Sequence, residues 1–206
     1  MVHSISVRPV RKWIAATLLS SALAGCGSPA GSAPASLVVT PTSGLQTTEG
    51  GLQAMVYVSL DSRPSKDVTV PVATTDTTEG TITTTSLVFT RDNWNAPQAV
   101  VVTGVDDHVA DGTQTYSLAF GPSTSGDRDF VDLSGSVDLQ NVDDETPGVL
   151  VSALAGDVTE AGTTTTLTVV LSSEPTADVV LTVASDDTGE GTIAPSTLRF
   201  TALDWN

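Results

Sequence analysis

From residue 52 the chain alternates, with Leu52, Ala54, Val56, Val58 and Leu60 on one parity and Gln53, Met55, Tyr57 and Ser59 on the other. A period of two marks a strand with one face against a core and one toward water. Val68, Val70 and Val72 repeat the pattern against Thr69, Pro71 and Ala73. Pro71 has no amide hydrogen for a ladder, so it predicts an edge strand or an outward-facing bond there. Extended along the chain, the pattern predicts seven strands, at about 36–40, 52–60, 67–75, 84–90, 97–104, 114–120 and 136–142. Seven short strands within about 110 residues predict an all-β, immunoglobulin-like antiparallel β-sandwich.

The pattern then recurs. Thr48 to Asn95 aligns without gaps on Thr159 to Asn206, a shift of about 111 residues with roughly 22 identities in about 48 positions. Glu49 matches Glu160, Pro64 matches Pro175, the "EGTI" at 79–82 matches that at 190–193, and Trp94-Asn95 matches Trp205-Asn206. Tandem repeats follow, with a first sandwich over 37–145 and a partial second over 149–206. The second copy stops where the first is half complete, which gives the expectation of a truncated repeat within a longer protein. Its alternating Leu167, Val169, Leu171, Val179, Leu181 and Val183 predict the same core face.

The first 36 residues follow another logic. Arg8, Arg11 and Lys12 precede the apolar stretch "WIAATLLSSALA", which is too short to span a bilayer comfortably and has the form of an export signal over 1–25. It ends in "LAGC", which resembles the lipobox of bacterial lipoproteins, so Cys26 is the expected lipidation site; ordinary cleavage after Ala22-Leu23-Ala24 is the competing reading. Residues 26–36 are a Gly/Ser/Pro/Ala tether. Together these predict an exported, lipid-anchored protein of the cell envelope. By resemblance, Gly27 after the cysteine favours the outer membrane or cell surface. Cys26 is the only cysteine, so no intrachain disulfide can form and stability outside the cytoplasm must come from packing or a bound ion.

Charge narrows the function. The net charge of −16 excludes nucleic acid as a partner, because phosphate recognition needs a basic face. Cations are the natural partners. If the strands run up and down, alternate loops share an end. One end then gathers Glu49, Asp76, Glu79, Asp106, Asp107, Asp111, Asp143, Asp144 and Glu145 with no Lys or Arg. The other mixes Asp61, Arg63, Lys66, Arg91, Asp92, Asp127, Arg128, Asp129 and Asp132. Two carboxylates about 5 Å apart repel by about 0.8 kcal/mol in water and about 3 kcal/mol at an effective dielectric of 20. A partly buried acidic end therefore calls for cations. Ligands that are all oxygen suit Ca²⁺, whereas Mg²⁺ demands stricter octahedral geometry and zinc favours His or Cys. Asp and Gly are also ordinary turn residues, so a solvated acidic rim is the alternative.

The segments "TTEGG", "ATTDTTEGTI", "LVFT", "QAVVVTGVDDHVADGTQTYSLAF" and "LQNVDDE" together resemble the Calx-β domain, an immunoglobulin-like module of exchanger regulatory regions and bacterial surface proteins. The resemblance implies Ca²⁺ ligation by Glu49, Asp76, Asp106, Asp107, Asp111, Asp143, Asp144 and Glu145. Gln114 stands where binding members often carry another glutamate, which implies weaker or fewer ions. His108 is expected to be solvated, and Trp94 and Trp205 to plug sandwich ends rather than stack on sugars. No nucleophile-base pair, phosphate loop or His metal spacing is present, so no enzyme is expected. The resulting expectation is a membrane-anchored structural or adhesive repeat stiffened by Ca²⁺, with a surface protein or polysaccharide as its partner. A calcium-independent spacer and a carbohydrate-binding module are the alternatives.

Overall fold

The computed structural model describes residues 34–206; the export signal, Cys26 and all but the end of the tether lie outside the described residues. Strands form where the alternation is cleanest. In chain order these are β1 (Leu37–Thr40), β2 (Leu45–Thr48), β3 (Gln53–Leu60), β4 (Val68–Thr74), β5 (Gly80–Ile82), β6 (Ser86–Phe89), β7 (Gln98–Gly104), β8 (Gln114–Phe120), β9 (Thr124–Ser125) and β10 (Gly135–Val142). The fold is all-β, with a single 3-10 turn at Arg128–Phe130 among the described residues.

Two sheets make the sandwich. One has the order β1-β3-β7-β5, the other β2-β10-β8-β4-β6 with β9 beside β4. Val56 lies opposite Val100 in the first sheet, and Leu139 opposite Tyr116 in the second. All four are buried, as are Val58, Val102, Val68, Val70, Phe89, Leu118 and Phe120. The hydrophobic surface these residues remove from water drives the two sheets together.

Several expectations need correction. Three short strands, β2, β5 and β9, fall outside the seven predicted: β5 and β9 span only three and two residues, and β2, LQTT, puts a polar threonine on its buried parity. The sandwich is not wholly antiparallel: β2 runs parallel to β10, from Leu45 opposite Leu139 to Thr48 opposite Val142. Leu52 is exposed, since β3 begins only at Gln53. Pro71 is not on an edge, for β4 lies between β8 and β6. Its neighbour on one side changes from β8, paired with Val72–Thr74, to β9, paired with Val68–Thr69. Pro71 falls in that gap, where no partner needs its missing amide hydrogen.

Beyond Val142 four more strands form two pairs, β11 (Val149–Val151) with β12 (Val169–Leu171) and β13 (Val179–Thr182) with β14 (Thr197–Phe200). Hydrogen bonds of the first copy return 111 positions later. Leu60 N donates to Trp94 O and Leu171 N to Trp205 O; Val72 N donates to Thr85 O and Val183 N to Ser196 O. Leu171 and Phe200 are buried here, but Leu167 is exposed and Val169, Val179, Leu181 and Val183 are only half-buried. Their counterparts Val56, Val58, Val68, Val70 and Val72 are buried between two full sheets.

Candidate metal centre

Four segments meet at one end of the sandwich: the β2–β3 turn, the β4–β5 turn, the 105–113 loop and the exit of β10. The β2–β3 turn is closed by Gly51, at φ +98°, a left-handed conformation that glycine adopts without strain. Gly51 N donates to Thr48 O at 3.0 Å, and Glu49 N donates to Val142 O at 3.1 Å. That second bond ties the turn to β10 and sets Glu49 beside the acidic run that follows Val142.

Beneath the turn lies a buried polar layer. Asn141 and Thr47 have no exposed surface, and the Thr47 hydroxyl lies 3.0 Å from the Tyr116 hydroxyl and donates to Asn141 Oδ1 at 2.9 Å. The Asn141 amide donates to Val105 O at 3.0 Å, and at 3.4 Å to both Glu49 Oε1 and Glu79 Oε2. Room for this layer comes from Gly80 and Gly104, which face each other across β5 and β7. A Cβ on Gly104 would fall 2.4 Å from Asn141 Oδ1 and 2.6 Å from Thr48 O, and one on Gly80 would fall 2.4 Å from the Tyr116 ring.

Above the layer, carboxylate oxygens of Glu49, Asp106, Asp144 and Glu145 all lie within 4.8 Å of one another. Glu49 is 7% exposed. Its Oε2 is buried without a hydrogen-bond partner, as is Oε2 of Glu145. Burial, then the adjoining Glu145 carboxylate, then the charges of Asp107 and Asp143 push the Glu49 pKa up to about 8. Glu79 is also raised, chiefly by burial and against the opposing hydrogen bond from Asn141, with Asp111, Asp76 and Asp107 adding to the rise.

The other four predicted ligands lie around this group rather than in it. Asp107 Oδ1 accepts from Val109 N at 2.7 Å, which turns the 105–113 loop. The Asp143 carboxylate accepts from Gly112 N and Glu145 N, and these bonds hold its pKa below the usual carboxylate range. Asp76 is exposed and accepts from the Thr78 hydroxyl and amide, which lower its pKa in turn. Asp111 is exposed, and its carbonyl accepts from Gln114 Nε2 at 3.1 Å, so Gln114 braces the loop.

Three residues outside the predicted set belong to this end. Asn141, buried, and Glu79, half-buried, adjoin Glu49, and Asn141 was visible only as a polar residue on the inward parity of its strand. His108 is solvent-exposed, as expected of it; Nδ1 nonetheless lies 3.9 Å from Glu145 Oε1, and the imidazole tilts against Trp205 with ring centres 5.9 Å apart. Trp94 packs against the core.

No protein-family model and no curated protein matches the chain. Among solved structures, the apo-form Calx CBD1 domain is 14% identical with a TM-score of 0.38, over 54% of this chain and 98% of that one. SSP-19, an MSP-domain-like protein of Caenorhabditis elegans, is 10% identical with a TM-score of 0.38, over 50% of this chain and 97% of its own. The CsuC–CsuE chaperone–tip adhesion complex of Acinetobacter baumannii is 10% identical with a TM-score of 0.38, over 81% of this chain and 90% of that one. Similarity of this degree says nothing about ligands or partners.

Proposed function

We propose that the sandwich is a Calx-β-like module that binds Ca²⁺ at its acidic end, within an exported, lipid-anchored protein whose tandem domains serve as a structural or adhesive stalk. The observation that carries the calcium reading is the buried, unpartnered Glu49 Oε2 facing the carboxylates of Asp106, Asp144 and Glu145. A carboxylate buried there is costly unless a proton or a cation neutralises it, and a cation is the partner this donor set suits. Oxygens bound to one Ca²⁺ ion at about 2.4 Å can be no more than about 4.8 Å apart, a limit that these four carboxylates meet. Glu49, Asp106, Asp144 and Glu145 would hold it, and the ion would supply positive charge that no Lys or Arg provides there.

The same end touches the second copy. Glu174 N donates to His108 O at 2.7 Å, and Ser172 donates through its amide to Gly148 O and through its hydroxyl to Thr146 O. An ion bound between the 105–113 loop and the exit run would therefore stiffen the junction as well as the domain. Calorimetric titration with Ca²⁺, with Mg²⁺ as control, tests the reading; heat with Ca²⁺ that is lost in E49Q/D144N supports it, and no heat from the parent chain contradicts it. Anchoring rests on residues 8–26 alone, and C26S should release the protein from membranes and abolish lipid labelling.

A further inference from the structure

We infer that the acidic end also holds a subsite for a divalent transition metal, Zn²⁺ foremost, built on Asp106, His108 and Glu145. The inference deepens the calcium reading, because Asp106 and Glu145 serve both ions. One atom from each of the three residues, Nδ1 or Nε2 of the imidazole and a carboxylate oxygen from each acid, lies within 4.8 Å of the other two. Oε2 of Glu145 is buried without a partner beside the Oε1 that lies toward His108, and Glu49, with an orphaned Oε2 of its own, belongs to the adjoining oxygen cluster through the same Asp106 and Glu145.

Donor chemistry separates the two ions. Ca²⁺ takes oxygen ligands and gains little from an imidazole, whereas Zn²⁺ binds imidazole nitrogen and carboxylate oxygen at about 2.0–2.2 Å and completes a tetrahedron with a fourth donor. Two donors about 2.1 Å from a tetrahedral ion are about 3.4 Å apart. The 3.9 Å between His108 Nδ1 and Glu145 Oε1 therefore needs to close by only about half an ångström. The His108 side chain is 65% exposed, so its ring can turn that far without repacking the core.

The second copy adjoins the loop that carries the imidazole. Glu174 N donates to His108 O, Val109 makes a parallel bridge to Glu174, and Trp205 lies against the ring. The first two contacts fix the backbone of the loop at His108, while the exposed ring keeps the freedom to turn toward Glu145. The subsite is thus a property of the junction between copies, and Zn²⁺ and Ca²⁺ compete for Asp106 and Glu145.

The test uses the full chain carrying H3N and C26S, which remove the other imidazole and the thiol, with and without H108N. Titration with ZnCl₂ is expected to show one site, weakened by at least about tenfold in H108N. Equal melting temperatures of the two proteins in EDTA would show that the substitution spares the fold. Zn²⁺ binding that is absent from the parent, or within twofold in H108N, overturns the inference. CaCl₂ titration of the same pair separates the two readings. Binding of Ca²⁺ without Zn²⁺ removes only the transition-metal subsite; His108-dependent Zn²⁺ binding without Ca²⁺ removes only the calcium reading.

Discussion

Glu49 concentrates the physics of the acidic end in one side chain. With a folded-state pKa of about 8 against an ordinary 4.5, it holds its proton at neutral pH when no cation is bound. A raised carboxylate pKa means that the folded state binds more protons than the unfolded state between those values, so folding stability falls as pH rises from about 4.5 to about 8. A cation and the proton compete for the same oxygens. Two outcomes follow, both measurable by thermal melting across this pH range. In EGTA the parent should lose stability as pH rises while E49Q stays flatter, and Ca²⁺ affinity should increase with pH over the same interval. A parent melting temperature in EGTA that rises with pH over this range would contradict the assignment. Asp76 and Asp143, both lowered by hydrogen bonds, act in the opposite sense: their contribution is present above the ordinary carboxylate pKa and lost as pH falls below it.

At the scale of elements, the acidic end depends on β5 and β7 lying close over Asn141. Gly104→Ala places a methyl group against Asn141 Oδ1 and the Thr48 carbonyl, so either the polar layer or the β2–β3 turn must shift. The expected cost is about 1–3 kcal/mol, the range for a disturbed buried hydrogen-bonding group, with weakened Ca²⁺ binding besides. Denaturant unfolding checks the first and calorimetry the second; unchanged stability and binding would show that the layer gives way freely. This layer also marks the limit of what could be read from the chain. Alternation revealed seven of the ten strands because each sets Val, Leu or Phe on one parity. It could not reveal β2, whose inward side includes Thr47, nor β5, whose glycine leaves no side chain to count. The acidic loops were legible as loops that share an end, since strands that run alternately up and down bring alternate loops together. Which oxygens converge was not legible, because Asp76, Asp107 and Asp143 are spent on turning their own backbones while Glu49, Asp106, Asp144 and Glu145 are left facing one another. The approach of His108 to Glu145 and Trp205 was not legible, because both are distant in sequence and brought near only by the fold.

For the whole molecule, the account joins a sandwich core to a cation-dependent end that abuts the next copy. A ligand that binds only the folded state stabilises it by about 2.7 kcal/mol at a hundredfold excess over Kd. For a chain of this size that is a rise in melting temperature of about 5–11 °C. The substitutions D106N and D144N together should abolish the rise. D129N should leave it intact, since Asp129 sits at the 3-10 turn, outside the clustered carboxylates. The most direct measurement is the melting temperature of the parent chain in excess EGTA and in millimolar Ca²⁺. The account predicts a rise with Ca²⁺ that D106N/D144N removes and D129N keeps; identical melting in EGTA and Ca²⁺ would contradict it and leave the acidic end a solvated rim.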